Sequence, residues 1–474
     1  MKRLLKIMSV MMIAVLCLSG CTGDGDTEST VSEISAVTGE SSAKEVHKPE
    51  QNSRSEKSKT ESSNESSVQS LQGSSEESHE KLHEVSEDES SEEEKSEQSS
   101  EPSEEVSAES SEELSSEPER VIDKSIVYGF DSKYFVNRLD ESMLNIFLNM
   151  YDAVQHFEMT ARFSEKVPSD DFDMLMFLLN YDCPELIQLN GDYSPIYTDE
   201  SESNVSGVYF TYNMSESDCK NYTDELDLFF ENLKADIGDM SELEKEKYIY
   251  DMIFDDCVYD DTDAYSGTVY GTLIGHIGRC EGICKSFMWC MRELDMECMC
   301  VSGVPKWETE AVYAGHSWNS VKIDGEYYQL DLTIDNIRDP WSDTTYPNYG
   351  FFNVNDEFND RTHEIYDFYK KLGVPECTSE AVNYHKMNGL FVYSDGDIEQ
   401  QVKNILENNF SEGIINNISI KFESIPALNN ANAHFAGWLK EFFKEKEISS
   451  YDHSVDCDQI CQTLTVYAEE NGSG

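Results

Sequence analysis

Five cysteines fall within the stretch GHIGRCEGICKSFMWCMRELDMECMC, and such thiols form disulfides, bind metals or act as nucleophiles. They are Cys280, Cys284, Cys290, Cys298 and Cys300. A zinc site could be assembled from His276, Cys280 and Cys284, but the paired Cys-x2-Cys knuckles of structural zinc sites are missing. We therefore expect no metal and no cofactor. Spacing alone does not assign disulfides, and a domain of this size folds without them.

Cys280 differs from the other four because it lies where a glycine-rich loop meets a predicted helix. Apolar residues recur at helical spacing in this stretch, which predicts a helix from about 281 to 295 with one face in the core. At the start of that helix, the dipole and the first-turn N–H groups favour a thiolate. The same N–H groups can hold an oxyanion. Cys280 is thus the candidate nucleophile, and the other four are expected to be core thiols or disulfide partners.

A thiolate nucleophile needs an imidazole and a group that orients it, and both follow in GHSWNSVKIDGEYYQLDLTID. Alternating apolar residues on either side of Asp324-Gly325 predict a hairpin with a two-residue turn. Counting from this turn pairs Ile323 with Glu326, Trp318 with Asp331, and His316 with Thr333. His316 and Asp331 then become diagonal neighbours on one face, roughly 7–8 Å apart at the backbone. Asp335, on the same strand face, is the rival orienting carboxylate.

These segments together resemble the transglutaminase-like superfamily. Its members share a Cys-x-Gly at a helix start, a His-x-Trp-Asn strand and a Tyr-x-Leu-Asp strand, and the upstream YIYDMIFDDCVYD and TVYGTLI are similar as well. The resemblance covers roughly residues 240–340. It implies a papain-like triad of Cys280, His316 and Asp331. One departure is Ile283-Cys284, where family members often have Tyr-Ala, and this affects packing on the substrate side.

The resemblance implies a cysteine enzyme that acts on amide or peptide bonds through a thioester. Hydrolysis is favoured over crosslinking, because a domain outside the cell meets abundant water and nothing marks a lysine-binding groove. The expected substrate is a protein or peptide, including the stem peptide of peptidoglycan. The alternative is a binding or adhesion module for a cell-wall or host component. Such modules often lose a triad residue, so the presence of all three favours the enzyme.

The N-terminus reads as an export signal. Lys2, Arg3 and Lys6 precede the short apolar run IMSVMMIAVLCL. The following Leu-Ser-Gly-Cys tetrad resembles a bacterial lipobox, which makes residues 1–20 a lipoprotein signal peptide and Cys21 the site of lipidation. We expect anchoring through Cys21 to the extracytoplasmic face of the cell membrane. Removal of Cys17 and lipidation of Cys21 leave eleven of the 13 cysteines, so at least one thiol stays unpaired.

Residues 21–120 are rich in Ser and Glu and almost free of aromatic residues, which predicts a disordered tether. Residues 22–119 carry 29 acidic and 7 basic residues, a net charge of −22. Removing this charge and the +3 of the signal from the total of −60 leaves −41 on residues 120–474. So acidic a surface repels phosphate backbones, which argues against nucleic-acid binding.

The rest of the chain predicts an α+β protein with three parts. These are an N-terminal helical region at 121–238, a papain/transglutaminase-like core at 239–372 and a small C-terminal α/β unit at 385–470. Helices are predicted at 139–157, 169–181, 216–236 and 241–256, with one early strand in VSGVYFTYNM. Strands at 297–304, 316–323 and 326–333 follow the cysteine helix. The tail predicts strand, helix, strand, helix and strand.

Overall fold

The computed structural model describes residues 122–198, 200–306, 315–336 and 346–471. The expected signal peptide, tether and lipidated Cys21 lie outside these residues. Within the described ranges, no helix is both long enough and apolar enough to cross a membrane.

The N-terminal region opens with three short 3-10 turns and continues with helices and strands. In chain order these are α1 (Glu141–Gln155), β1 (Thr160–Pro168), α2 (Ser169–Tyr181), β2 (Leu189–Tyr197), β3 (Asn204–Tyr212) and α3 (Glu216–Ile237). The strands form an antiparallel sheet in the order β1-β3-β2. The strand predicted in VSGVYFTYNM is β3, whereas β1 and β2 were not predicted. Register shifts interrupt both pairings, and such shifts break the apolar alternation that identifies a strand.

The central part contains the segment expected to carry the chemistry. Its elements are α4 (Glu242–Asp256), β4 (Val258–Tyr259), α5 (Val269–Leu273), β5 (Ile277–Gly278), α6 (Cys280–Glu293), β6 (Cys298–Pro305), β7 (His316–Ile323), β8 (Glu326–Leu330), α7 (Leu332–Asn336), α8 (Asp356–Asn359), β9 (His363–Ile365) and α9 (Asp367–Lys371). Strands β6 to β9 form an antiparallel sheet in the order β8-β7-β6-β9. Helix α4 begins with a capping box of Ser241 and Glu244.

The hairpin of β7 and β8 has the predicted two-residue turn. Asp324 and Gly325 have φ angles of +50° and +89°, as this kind of turn requires. Ile323 pairs with Glu326, and the same register continues to the end of β8 at Leu330. The expected continuation to residue 333 was wrong. The Asp331 side chain accepts the backbone N–H of Thr333 at 2.9 Å, and the chain turns into α7.

Two hydrophobic clusters cover opposite faces of this sheet. On one face, α3, α4 and α6 pack against residues such as Cys298, Val321 and Leu330. On the other face, α1, α2 and the N-terminal strands pack against Met299, Val301 and Trp318. The N-terminal region therefore forms one wall of the central core, and all described residues belong to one compact unit.

The C-terminal part is a small α/β arrangement with its own core. It contains α10 (Tyr384–Met387), β10 (Phe391–Val392), α11 (Ile398–Asn409), β11 (Phe410–Ser411), β12 (Ile414–Phe422), α12 (Ile425–Glu445), β13 (Tyr451–Asp458) and β14 (Thr463–Glu470). The sheet order is β10-β12-β14-β13, with β11 beside β12. Strand β13 was not predicted, because it is a largely exposed edge strand without a buried apolar face.

Candidate active site

Cys280 is the first residue of α6, placed there by a short parallel strand pair. Tyr259 of β4 pairs with Gly278 of β5, and the chain then enters the helix. Gly282 is required because a Cβ atom at this position would lie 2.1 Å from the Ser266 carbonyl oxygen. This contact explains the glycine of the Cys-x-Gly motif. The Cys280 thiol is free and only half-buried, so a substrate can approach it.

Helix α6 is fixed against β7 by a small set of buried polar contacts. The Asn319 side-chain amide donates to the carbonyl of Cys284 at 3.0 Å and to that of Met299 at 3.2 Å. The Cys284 thiol donates to the Trp318 carbonyl at 3.0 Å. These bonds set the distance between α6, which begins with Cys280, and β7, which begins with His316. Cys284, the departure from the family pattern, therefore has a structural role in the core.

The structure brings Cys280, His316 and Asp331 together. His316 Nε2 lies 2.6 Å from Asp331 Oδ2, and the His316 ring also hydrogen-bonds with the Cys280 thiol. Because Nε2 faces the carboxylate, the ring nitrogen that faces Cys280 is Nδ1. Asp331 thus contacts His316 although β8 ends one residue earlier, at Leu330. The hairpin sets the direction in which the chain leaves β8, and this direction brings Asp331 next to His316.

Charge interactions favour the protonated imidazole and the ionised carboxylate. Burial would by itself lower the pKa of His316, but Asp331 and Cys280 raise it to about 10. Burial would likewise raise the pKa of Asp331, yet His316 and His363 hold it well below its usual range. The arrangement can therefore store a proton on His316 next to the thiol.

His363 is the part of the site that the sequence analysis missed. Its Nε2 lies 3.1 Å from Asp331 Oδ2, and its side chain is fully buried. It belongs to β9, where it pairs with Pro305 at the far edge of the sheet. No motif marks it, because β9 has only three residues and reaches the site by a long-range pairing.

His316, Asp331 and His363 are also of the residue types that bind metals, and one ligand atom from each lies within 4.8 Å of the others. Two ligands of one tetrahedral zinc, with bonds of about 2.0–2.1 Å, would stand about 3.3 Å apart. The carboxylate oxygen is 2.6 and 3.1 Å from the two imidazole nitrogens, which are hydrogen-bond separations. The cluster is therefore arranged as a hydrogen-bonded group.

The other arrangements considered for the thiols are not formed. Among the residues described, His276, Cys280 and Cys284 are not gathered as a ligand set. His276 is exposed, whereas the Cys284 thiol is directed at the Trp318 carbonyl. Cys280, Cys284, Cys290, Cys298 and Cys300, the five cysteines of this stretch, are all free thiols.

Asp335, the rival orienting carboxylate, has different partners. It accepts hydrogen bonds from the Tyr250 hydroxyl and from the Tyr349 backbone N–H. Burial raises the pKa of Asp335 to about 7. The strand turns into α7 before reaching Asp335, and this change separates the two carboxylates.

Aromatic residues enclose the group. The Trp318 ring is stacked at 6.1 Å from that of His316 and lies 4.6 Å from that of His363, measured between ring centroids. Its indole N–H donates to Gln329 at 2.9 Å. Trp318 thus excludes water from the two imidazoles.

Near Cys280, burial and the thiol raise the pKa of Tyr259 to about 12, so its hydroxyl stays protonated at neutral pH.

Next to Cys280, the candidate nucleophile, Glu281 is held in a buried charge network. It contacts Arg279 at 2.6 Å and Lys285 at 3.0 Å, and it accepts a hydrogen bond from Asn180 of α2. Burial opposes ionisation of Glu281, but the two cations lower its pKa to about 2. This network ties the N-terminal region to the first turn of α6.

Comparisons with known proteins agree with the motifs. Residues 231–332 match the model of the Transglutaminase-like superfamily, and this segment carries Cys280, His316 and Asp331. The chain therefore contains a transglutaminase-like domain. No curated protein sequence matches the chain.

Two solved structures are similar to parts of the chain. One, described as a "Putative Cysteine Protease" from Cytophaga hutchinsonii, is 18% identical with a TM-score of 0.20 and covers 23% of this chain. The other, a TGase, is 14% identical with a TM-score of 0.21 and covers 39% of this chain. The matched segments span 37% and 53% of those two proteins.

Proposed function

We propose that the chain is a cysteine hydrolase that cleaves an amide or peptide bond through a thioester on Cys280. The observation that carries this proposal is the pair of contacts made by His316, to the Cys280 thiol on one side and to Asp331 at 2.6 Å on the other. His316 and Asp331 are buried, Cys280 is half-buried at the start of α6, and together these groups form the arrangement that activates a thiol nucleophile.

The reaction begins when the Cys280 thiolate attacks the carbonyl carbon and forms a C–S bond. First-turn N–H groups of α6 are placed to stabilise the resulting oxyanion. The His316 imidazolium then donates its proton to the leaving nitrogen, the C–N bond breaks and a thioester remains. Neutral His316 next takes a proton from water, whose oxygen attacks the thioester and releases the acid and the thiolate.

Hydrolysis is preferred to crosslinking because water reaches a half-buried thiol without any dedicated site. The substrate class is a protein or peptide, with the stem peptide of peptidoglycan as a specific case. Adding a primary amine to the assay distinguishes the two reactions, since transfer would incorporate the amine into the product.

Anchoring is a separate part of the proposal and rests on the sequence alone. Lipidation of Cys21 would place the domain at the extracytoplasmic face of the membrane, with residues 22–120 as its spacer. Cys21→Ser should abolish incorporation of labelled palmitate while leaving the activity of the purified domain unchanged. Equal incorporation by both proteins would contradict the anchor.

The triad is tested by labelling with iodoacetamide followed by peptide mapping. Cys280 should react much faster than the other thiols, and Cys280→Ala should remove the fast phase. Cys219→Ala is the matched control, because Cys219 is also a half-buried free thiol but lies in α3. A peptide chloromethyl ketone should trap Cys280 as well. Uniform labelling of all thiols, without trapping, would favour a binding module instead.

A further inference from the structure

Contacts on several sides hold the His363 side chain in place. Strand β9 holds it at the edge of the sheet, opposite Pro305 of β6. Its ring lies between those of Trp318 and Phe351, at 4.6 and 5.2 Å between centroids. Its Nδ1 faces the Thr362 hydroxyl at 2.9 Å and the Asn359 carbonyl at 3.3 Å. The ring is thus fixed with Nε2 directed at Asp331.

The Asp331 carboxylate is constrained at both oxygens. Oδ2 meets His316 at 2.6 Å and His363 at 3.1 Å, while Oδ1 accepts the backbone N–H of Thr333 at 2.9 Å. Rotation of the carboxylate would break bonds on both sides. The Thr333 contact fixes one oxygen, and His363 fixes the oxygen that the triad uses.

We propose that His363 is a positioning residue of the triad, which donates a second hydrogen bond to Asp331 and thereby holds Oδ2 against His316. This inference rests on the proposed function, and it adds to that function a fourth side chain from a separate strand. His363 touches neither the thiol nor the substrate in this role, and it acts through Asp331.

A neutral donor suits this role better than a second cation. Burial lowers the pKa of His363, against the opposing attraction of Asp331. Neutral His363 with its proton on Nε2 donates a hydrogen bond to the Asp331 carboxylate without adding a second positive charge beside that of His316. Among the described residues, the charged and titratable groups that face it include Asp331, His316 and Asp360, with Thr362 and Asn359 at its other nitrogen.

The test compares His363→Leu, which removes the donor, with His363→Gln, whose amide can replace it. The readout is the second-order rate constant for alkylation of Cys280 by iodoacetamide at pH 7. Each substitution is made in the natural chain and in an Asp331→Ala background. His385→Leu is the matched control, because His385 is also fully buried but contacts Ser419 in the C-terminal part.

We expect His363→Leu to slow alkylation about tenfold, as loss of a hydrogen bond to a charged group predicts. His363→Gln should recover most of the rate. In the Asp331→Ala background, both substitutions should change the rate less than about twofold, because the residue through which His363 acts is gone. His385→Leu should leave the rate unchanged even where it lowers the unfolding midpoint.

Three outcomes would overturn the inference. Equal losses for Leu and Gln, or an equal loss in both backgrounds, would show a purely structural role. A normal rate for His363→Leu would show no role at all. These outcomes leave the proposed function intact, since Cys280 still labels selectively in the natural chain. Absence of selective labelling in the natural chain would overturn both proposals.

Discussion

Replacement of Asp331 by Asn tests the triad most directly, because it changes charge and hydrogen bonding with little change in shape. The amide oxygen can still accept the N–H of Thr333, which occupies Oδ1 in the natural chain. The amide nitrogen then takes the place of Oδ2 and presents donors to His316 and His363. His316 Nε2 must then be unprotonated to accept this hydrogen bond, so the ring proton moves to Nδ1. Nδ1 can then no longer take the Cys280 proton.

The size of the effect follows from the environment of His316. In the folded chain its pKa is raised to about 10 despite burial, with Asp331 as the strongest favourable influence. Against an ordinary value of about 6.5, this corresponds to roughly 4–5 kcal/mol of preference for the imidazolium. Part of it comes from Cys280. We therefore expect Asp331→Asn to raise the barrier by about 3–5 kcal/mol, or to lower kcat/KM by about two to four orders of magnitude.

The assay is kcat/KM on any amide or peptide substrate found, with the alkylation rate of Cys280 as a substrate-free companion. Circular dichroism checks the fold of each variant. Asp335→Asn is the matched control, because Asp335 is also a buried carboxylate, four residues away, that contacts Tyr250 and Tyr349. If Asp335→Asn were crippled while Asp331→Asn remained nearly normal, the triad and the hairpin argument behind it would both be mistaken.

Three further perturbations follow from the packing around the site. The folded-state pKa of Asp335 is raised to about 7, so its contribution to stability is present at low pH and is lost as pH rises towards 7. In urea unfolding, the free energy of unfolding of Asp335→Asn relative to that of the natural chain should rise by roughly 2 kcal/mol between pH 5 and 7. Parallel plots of this free energy against pH for the two proteins would contradict this. Gly303→Ala should slow Cys280 alkylation about as much as His363→Leu, because the new Cβ would meet the Glu364 carbonyl 2.1 Å away and push β9 from β6. A normal rate would argue against dependence on β9. One glycine inserted between Asp324 and Gly325 should abolish turnover while helix content by circular dichroism is kept, because a one-residue slip turns the residues of β8 to the opposite face and misdirects the chain that leads into Asp331. Retained turnover would refute the register argument.

The sequence predicted what local rules determine. The Asp324-Gly325 turn fixed the pairing of β7 and β8 up to Leu330, since a two-residue turn leaves only one register. The helix after the glycine-rich loop begins at Cys280, one residue before the predicted start. What failed was the continuation of β8, because the Asp331 side chain caps the following N–H groups and starts a turn of helix. An Asp at this position is compatible both with a longer strand and with the start of a helix, and only tertiary contacts decide between the two.

Long-range pairings account for most of the remaining errors. His363 lies 32 residues after Asp331 and reaches it only because β9 adds to the far edge of the sheet. Asn180 reaches Glu281 because the N-terminal region packs against the core, although the two are 101 residues apart. Neither contact leaves a periodic pattern in the sequence. The irregular strands β1 and β2 were missed for a related reason, since their register shifts remove the alternation on which strand prediction depends.

The acidic groups around Cys280 are compensated locally, although the chain as a whole is strongly acidic. Glu281 follows the nucleophile directly, and Asp331 lies just beyond His316, so two buried carboxylates stand near the developing negative charge. Each is compensated: Arg279 and Lys285 pair with Glu281, and a protonated His316 pairs with Asp331. Because close buried charges interact strongly while exposed surface charges are screened by water and salt, these local pairs outweigh the net charge of the surface. Without its cations, Glu281 would oppose the thiolate from the adjacent residue. The buried network beside the nucleophile thus belongs to the same electrostatic arrangement as the triad.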